Sequence, residues 1–276
     1  MSLYHLGNLG EAVERLNESL SVYNSLNDRQ NVTTVLMELG LAHMASSSYR
    51  EAMTHFNQAL SFWKEVHNMV GQVYLLNNLA ILHHLQGEYE RAATLFSDGL
   101  AIAKYHGMGR MEAYILCGIG DLYADLDVVD AALEAYEHTR AFAEQNEDLF
   151  LRAYLNLMEA AQARNTGDIA YARRLLSATN KLVQESSSDF ETGLLEMEEG
   201  RVDLAEGQPH AAVDHFQKSV QLFDKGGQRV EAARAYLYLS IACHAIDAPD
   251  KAYTYLQRAL EIASMMDSQH VLVVAG

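Results

Sequence analysis

The amino-acid sequence predicts an all-α solenoid made of antiparallel helix pairs. The clearest copy of the repeating pattern is the stretch Leu75–Leu100, in which apolar residues recur at helical spacing up to Gly87 and again from Tyr89. A glycine that interrupts two amphipathic helices indicates a tight turn between them. The same pattern recurs along the chain with a 40-residue period and never shifts out of register. Each unit is therefore predicted to consist of a first helix, a turn and a second helix.

An alanine marks the second helix of every unit. A methyl group fits where two helices cross closely, whereas a larger side chain would push their axes apart. The marker alanines are Ala12, Ala52, Ala92, Ala132, Ala172, Ala212 and Ala252. The turn that precedes each of these helices carries Gly7, Ser47, Gly87, Asp127, Gly167, Gly207 and Asp247. This fixed register predicts that the units stack on one another end to end.

The first helices carry a matching series of small residues, namely Gly40, Ala80, Gly120, Ala160, Gly200 and Ser240. Together with the alanine markers, this pattern resembles tetratricopeptide repeats (TPR), whose common period is about 34 residues. The 40-residue period is similar to elongated repeats in Pins-type polarity adaptors, kinesin light chains and large bacterial signalling ATPases. The LNNLA sequence at positions 76–80 is very like that of kinesin light chains. The resemblance implies a right-handed TPR superhelix. HEAT and armadillo repeats have similar periods, but the alanine that follows a glycine turn favours TPR.

In chain order, the pattern predicts a second helix without its partner, then six complete helix pairs, then part of another first helix in Ser268–Gly276. Solenoids usually end in polar capping repeats, which cover the apolar face of the terminal unit. Neither end of this sequence has such a cap. We therefore expect residues 1–276 to form a single TPR solenoid that is a fragment of a longer protein.

The composition restricts the classes of function. A formal net charge of −17 disfavours contact with nucleic acid, because binding phosphates requires clustered Lys and Arg. Cys117 and Cys243 belong to units that are not adjacent, so we expect free thiols in a reducing compartment. The sequence has no apolar run long enough for a membrane span and no secretion signal. A cytoplasmic protein that does not bind membranes is predicted.

No motif for catalysis or for cofactor binding is present. Neither a phosphate-binding loop nor a dinucleotide-binding glycine motif occurs in the required context. The aspartates around one turn lack the spacing and terminal glutamate of a calcium loop, so a solvated turn is favoured there. Three histidines raise a metal hypothesis, but packing between repeats is the preferred interpretation. The residues concerned are Asp125, Asp127, Asp130, His43, His83 and His84. We predict a protein that is not an enzyme and has no cofactor and no metal site.

Glu159 and Glu199 depart from the pattern, because leucine or isoleucine fills the same first-helix position in most other units. A buried carboxylate needs a partner or a shifted pKa. Arg164 or Arg201 is the expected partner. A glutamate that is locally exposed or internally paired is the preferred interpretation, and a role in ligand binding is the alternative.

By resemblance to TPR solenoids, the first helices line a concave groove that binds peptides or partner segments. Tyr74, Tyr114 and Tyr154 lie one period apart and would form a ladder along this groove. Asparagine side chains can clamp a ligand backbone, because an amide both donates and accepts hydrogen bonds. The predicted ligand-binding residues are Tyr74, Asn77, Asn78, Ile81, Tyr114, Cys117, Asp121, Tyr154, Leu157, Arg201, Leu237 and Ile241. The alternative is that the tyrosines only pack against neighbouring helices.

Two segments, Gly118–Glu144 and Glu199–Val220, resemble the C-terminal repeat arrays of large bacterial transcriptional activators of the maltose-activator-like and antibiotic-regulator-like kinds. The resemblance implies a sensor or regulatory segment that binds a peptide, a protein segment or a small inducer in the groove. The ATPase and DNA-binding modules of those activators do not occur in this sequence. A free-standing adaptor that binds an extended peptide and a structural spacer or oligomerisation arm are the alternatives.

Overall fold

The computed structural model describes residues 9–265, and in this part of the chain it contains thirteen α-helices and no β-strand. The helices are α1 (Leu9–Ser25), α2 (Arg29–Ala45), α3 (Tyr49–Glu65), α4 (Met69–Leu85), α5 (Tyr89–Tyr105), α6 (Gly109–Asp125), α7 (Val129–Gln145), α8 (Leu149–Thr166), α9 (Ile169–Ser186), α10 (Asp189–Ala205), α11 (Pro209–Gly226), α12 (Arg229–Ala245) and α13 (Pro249–Ser264). The predicted all-α class is confirmed. An unpaired second helix, α1, precedes six pairs, as expected. Gly7 and the segment 268–276 lie outside the described residues.

Each helix begins half of the 40-residue period after the helix before it. The repeat period alone would allow the two helices of a pair to be spaced unequally. The turns within a pair and the turns between pairs share one conformation, with a residue of positive φ at the same place. At most of these turns an amide bonds back across the helix end; Ser48 N, for example, donates to His43 O at 2.8 Å. This is the Schellman arrangement that ends many helices. The positive-φ residues are Asn27, Ser47, His67, Gly87, Gly107, Asp127, Glu147, Gly167, Ser187, Gly207, Gly227 and Asp247.

The described chain divides into two units, residues 9–145 and residues 146–265. Unit 1 contains α1–α7, and unit 2 contains α8–α13. Within each unit consecutive helices pack together, and first helices of adjacent pairs also meet: α4 with α6 in unit 1, and α10 with both α8 and α12 in unit 2. We call the side of a unit formed by its first helices the first-helix face. That residues 1–276 form a single solenoid remains a prediction.

Small residues allow the helices of unit 1 to pack closely around large aromatic rings. Ala92 is fully buried. A Cβ atom on Gly40 would collide with the ring of Phe56, and one on Gly120 would collide with the ring of Tyr136. Such contacts are too short for any side chain, because protein interiors are close-packed. The small residues in the repeat pattern are thus required by the aromatic rings opposite them.

Unit 2 repeats this arrangement with its own core. Ala212 is fully buried. A Cβ atom on Gly200 would lie 2.8 Å from the ring of Phe216, and one on Gly193 would lie 2.7 Å from the ring of Phe223. The rings of α11 therefore pack directly against the backbone of α10. This close contact fixes which residues of α10 face the second helices and which remain on the first-helix face.

Candidate functional site

Two of the three predicted ladder tyrosines are neighbours on the first-helix face of unit 1. Tyr74 on α4 and Tyr114 on α6 are half-buried. Burial raises the pKa of Tyr74, and Tyr114 is close enough to add to that effect. The guanidinium carbon of Arg110 lies 5.6 Å from the centre of the Tyr114 ring. Tyr154 belongs to unit 2, where it stacks on Phe150 of its own helix at 5.9 Å.

Asn77 and Asn78 lie deeper than the sequence suggests, with only 7% and 6% of their surfaces exposed. The Asn77 Oδ1 and Asn78 Nδ2 atoms are shielded from solvent, and neither has a hydrogen-bond partner in the described part of the chain. A weak hydrogen-bonding contact of the Asn78 amide lowers the pKa of Tyr74, but its geometry is too poor to satisfy Nδ2. Leaving a buried polar atom unpaired costs about 1–3 kcal/mol. Adjacent residues of α4 thus hold one free acceptor and one free donor.

Cys117 and Asp121 lie on α6 beside the second helix α7. The hydroxyl of Tyr136 donates to Asp121 Oδ1 at 2.7 Å. Burial, with a smaller contribution from the charge of Asp121, places the pKa of the Cys117 thiol well above its usual range. A thiol that stays protonated is a poor nucleophile. Ile81, on α4, packs against the buried cluster around Phe96.

Some of the histidines and aspartates singled out in the sequence contact partners on neighbouring helices. His84 Nε2 lies 2.9 Å from Asp125 Oδ2, which joins α4 to α6. The ring of His43 stacks on that of His55, with centres 5.4 Å apart. Asp127 has positive φ at the turn after α6. Residues 9–265 contain no group of three or more histidine, cysteine or acidic side chains arranged to hold a metal ion.

The remaining predicted residues lie in unit 2 and differ widely in exposure. Leu157 is 3% exposed and belongs to the hydrophobic core of the unit. Leu237 is half-buried, and Ile241 is 46% exposed. Arg201 is half-buried on α10. Of this group, Arg201 has the richest polar surroundings.

A chain of polar contacts crosses the first-helix face of unit 2 from α8 to α12. Arg164 Nε donates to Glu198 Oε1 at 2.8 Å, and Arg201 Nη1 donates to Glu198 Oε2 at 2.9 Å. The guanidinium carbon of Arg201 lies 4.9 Å from the centre of the Tyr238 ring. Arg164 Nη2 is buried and has no hydrogen-bond partner among the described residues. One buried carboxylate therefore serves two cations.

A second group of ion pairs faces the second helices of unit 2. Arg173 on α9 pairs with Glu199, Asp203 and Glu206 of α10, the last at 2.7 Å. The buried position of Asp203 makes this cluster part of the unit's interior. Burial raises the pKa of Glu199 despite the opposing charge of Arg173. Internal pairing, the preferred interpretation of Glu199, is confirmed.

The expected partner of Glu199 was wrong. Neither Arg164 nor Arg201 pairs with Glu199, because adjacent residues of a helix point about 100° apart and both arginines contact the preceding residue instead. Glu159 accepts a hydrogen bond from the hydroxyl of Tyr171, a neutral group. The repeat period identified the unusual carboxylates but did not show which helix faces them.

None of the helices between residues 9 and 265 has the combination of length and apolarity needed to cross a membrane. A family model described as "Tetratricopeptide repeat" matches residues 31–105 and 192–265, which is more than half of the chain. The chain belongs to the tetratricopeptide repeat family. The two TPR matches coincide with helices α2–α5 and α10–α13.

Solved structures share this TPR architecture at low sequence identity. A Rap protein complexed with Competence and Sporulation Factor has a TM-score of 0.79 and 13% identity, over 99% of this chain and 73% of that one. NprR in complex with its cognate peptide NprX has a TM-score of 0.65 and 15% identity, over 95% and 81%. The APC/C hetero-tetramer Cut9-Hcn1 has a TM-score of 0.65 and 16% identity; the match covers 93% of this chain but only 43% of that chain. No curated protein matches the sequence. At these identities the likeness shows the fold.

Sequence reasoning missed Glu198 and Tyr238, which complete the polar chain on unit 2. Both occupy the same position of the TPR repeat as Asn78, three and four periods further along the chain. Applying the period to Asn78 would therefore have found them. The link from Arg164 to Glu198 has no such signal, because the two residues occupy different positions of the repeat.

Proposed function

We propose that the chain is a non-catalytic, peptide-binding regulatory module, and that the ligand backbone binds the first-helix face of unit 1. The observation that carries this proposal is the pair of unpaired amide atoms on Asn77 and Asn78. Every peptide unit offers one N–H donor and one C=O acceptor. A peptide backbone would donate to Asn77 Oδ1 and accept from Asn78 Nδ2, which would satisfy both atoms at once.

Tyr74 lies beside the Asn78 amide and would contact a ligand bound there. It lies one helical turn before Asn78, is half-buried and makes a weak contact with the amide that leaves Nδ2 unsatisfied. Both amide atoms are shielded from solvent, so side chains that cover them must rotate for a ligand to reach them. Side-chain rotation of this kind is common on binding. With Tyr114 beside it, Tyr74 would then offer aromatic contact area at little cost in conformational entropy.

Two proteins with the same fold support a peptide as the ligand. NprR is described in complex with its cognate peptide, and a Rap protein is described in complex with Competence and Sporulation Factor. A regulatory module that responds to a peptide is therefore the function we favour. A more specific assignment rests on the sequence resemblance. In that assignment the chain is the sensor segment of a cytoplasmic bacterial transcription regulator and does not itself contact nucleic acid. An ATPase module and a DNA-binding domain encoded on the same gene would support it.

A peptide screen tests the proposal. The whole chain is immobilised, a random heptapeptide display library is passed over it, and the dissociation constants of enriched peptides are measured by calorimetry. We expect Asn77→Ala and Asn78→Ala each to weaken binding by about tenfold, the effect of losing roughly 1.4 kcal/mol. Asn57→Ala is the matched control, because Asn57 is exposed on the second helix α3.

Three outcomes separate the candidate functions. Enriched peptides that lose affinity with the α4 variants but not with the control support the proposed site. Peptides that bind all three variants equally would show that peptide binding occurs elsewhere. A screen that enriches nothing would refute the proposal and leave the structural spacer as the better interpretation.

A further inference from the structure

The turn between α6 and α7 exposes a group of large apolar side chains. This group, which we call the 123–133 patch, consists of residues that are each at least 37% exposed: Tyr123, Leu126, Val128, Val129 and Leu133. The Val128 amide donates to Tyr123 O at 2.9 Å, so the two ends of the turn lie side by side. On α7, Val129 and Leu133 are one helical turn apart and share one side of the helix. The patch thus continues from the turn onto the surface of α7.

The equivalent turns of the other helix pairs show that the fold does not require apolar residues here. Leu126 and Val128 flank the positive-φ residue Asp127. The residues at these two positions in the other pairs are Ser46 and Ser48, Gln86 and Glu88, Thr166 and Asp168, Glu206 and Gln208, and Ile246 and Ala248. Polar residues fill both positions in four of these five turns, although the residue between them has positive φ in every case. Because contact between apolar groups and water is unfavourable, folding alone does not explain the patch.

Acidic residues surround the patch. Residues 111–139 contain seven Asp or Glu side chains and no Lys or Arg. Of these acidic residues, Asp127, Asp130 and Glu134 are exposed and alternate with the apolar residues along the turn and the start of α7. A surface of one sign of charge attracts a partner of the opposite sign and repels one of the same sign. The patch therefore combines apolar contact area with a negative border.

We propose that the 123–133 patch binds an amphipathic helix of a partner protein, and that Lys and Arg flank the apolar side of this helix. A helix suits the surface because Val129 and Leu133 form a row along α7, and rows of side chains on one helix pack between those of another. The negative border selects the basic flanks. A second copy of this chain fits less well, because contact between two such patches would bring two acidic surfaces together. The proposal does not depend on the peptide site at Asn77 and Asn78.

Two display libraries of helical peptides test the chemistry of the partner. Both contain peptides of about 18 residues, or about five helical turns, with the same random apolar residues at helical spacing. The positions beside the apolar stripe are Lys, Arg or Gln in one library and Asp, Glu or Gln in the other. The whole chain is immobilised, and the dissociation constants of enriched peptides are measured by fluorescence anisotropy. We expect the basic library to yield peptides that bind about tenfold more tightly than those from the acidic library.

Two double variants locate the binding surface. Leu126→Ser combined with Val128→Ser reproduces the residues of the α2–α3 turn and should weaken binding of the basic peptides by about tenfold, because it removes two apolar contacts. Asp127→Asn combined with Asp130→Asn should weaken it by about threefold; Asn tolerates the left-handed conformation at position 127. Leu26→Ser is the matched control and should change nothing, since Leu26 is 66% exposed and also precedes a positive-φ residue.

Peptides that lose affinity with both double variants but not with the control support the proposal. Equal enrichment from the two libraries, enrichment of nothing, or unchanged binding by the serine double variant would overturn it. The library comparison requires no substitution, so it decides the matter even if a variant fails to fold. Heptapeptides selected for the asparagine pair should bind the serine double variant as tightly as the unaltered chain, which separates the two surfaces.

Analytical ultracentrifugation of the chain at rising concentration tests for the other occupant, a second copy. We expect the unaltered chain and the serine double variant to sediment alike. A dimer that the serine double variant dissociates would overturn the proposal in favour of self-association through the patch.

Discussion

Replacing Asn77 with leucine should make the protein more stable while it weakens peptide binding. Asn77 is 7% exposed and its Oδ1 atom has no partner in the described structure. The unpaired acceptor destabilises the folded protein by about 1–3 kcal/mol, and the leucine variant no longer carries this penalty. The variant also loses the remaining interactions of the amide, which reduces the gain by about 0.5–1.5 kcal/mol. Leucine has nearly the same shape and no polar atom. The expected net gain is about 1 kcal/mol, or about 2–4 °C in melting temperature for a domain of about 150–250 residues.

Thermal unfolding followed by circular dichroism measures this gain. The matched control is Asn156→Leu in unit 2, since Asn156 is similarly buried but none of its buried side-chain atoms lacks a partner. That substitution should lower stability by about 1 kcal/mol, because it removes hydrogen bonds that are made. If both substitutions destabilise the protein equally, the Asn77 amide is satisfied and the reasoning for the binding site fails.

Three further predictions concern turns, packing and pH. Glu147 has positive φ, so Glu147→Gly should stabilise the fold by about 0.5–1 kcal/mol in urea unfolding, whereas Glu147→Ala should have little effect. Gly200→Ala would place a methyl group 2.8 Å from the Phe216 ring and should cost about 1–3 kcal/mol; Phe216→Leu in the same chain should recover part of this loss, which a double-mutant cycle measures. The hydrogen bond to Glu196 raises the pKa of His215 above 6.5. The pKa of His215 is higher in the folded protein than in the unfolded one. The stability that this group contributes is therefore complete below about pH 6.5 and is lost as the pH rises through the folded pKa. An NMR titration of the His215 ring measures the folded pKa. A His215 pKa at or below 6.5 would contradict it.

The sequence predicts the backbone of this protein better than it predicts the site. The marker alanines and the small first-helix residues specify where helices cross, and the structure confirms Ala92 and Ala212 as fully buried contacts. These features depend on the period alone, which is visible in one chain. The sequence does not reveal the uniform half-period spacing of the helices, because seven of the twelve described turns have a residue other than glycine at the positive-φ position.

The site was harder to predict because its properties depend on which helix faces each side chain. The sequence predicts Asn77 and Asn78 as binding residues but not as buried amides with unpaired atoms, since burial depends on how neighbouring helices close over α4. Glu199 was recognised as unusual, yet its partner Arg173 lies on another helix, earlier in the chain. The repeat period relates equivalent positions and says nothing about contacts between positions that are not equivalent.

The uniform spacing of the helices restricts how this gene can change length. Because every described helix starts half a period after the last, inserting or deleting one residue within a helix would rotate all later side chains of that helix by about 100° and move its apolar stripe away from its neighbours. Loss or duplication of one full period, by contrast, removes or adds one whole helix pair and returns the chain to the same register. Length variation among relatives of this protein should therefore occur in whole periods, with the left-handed turn residues as the boundaries.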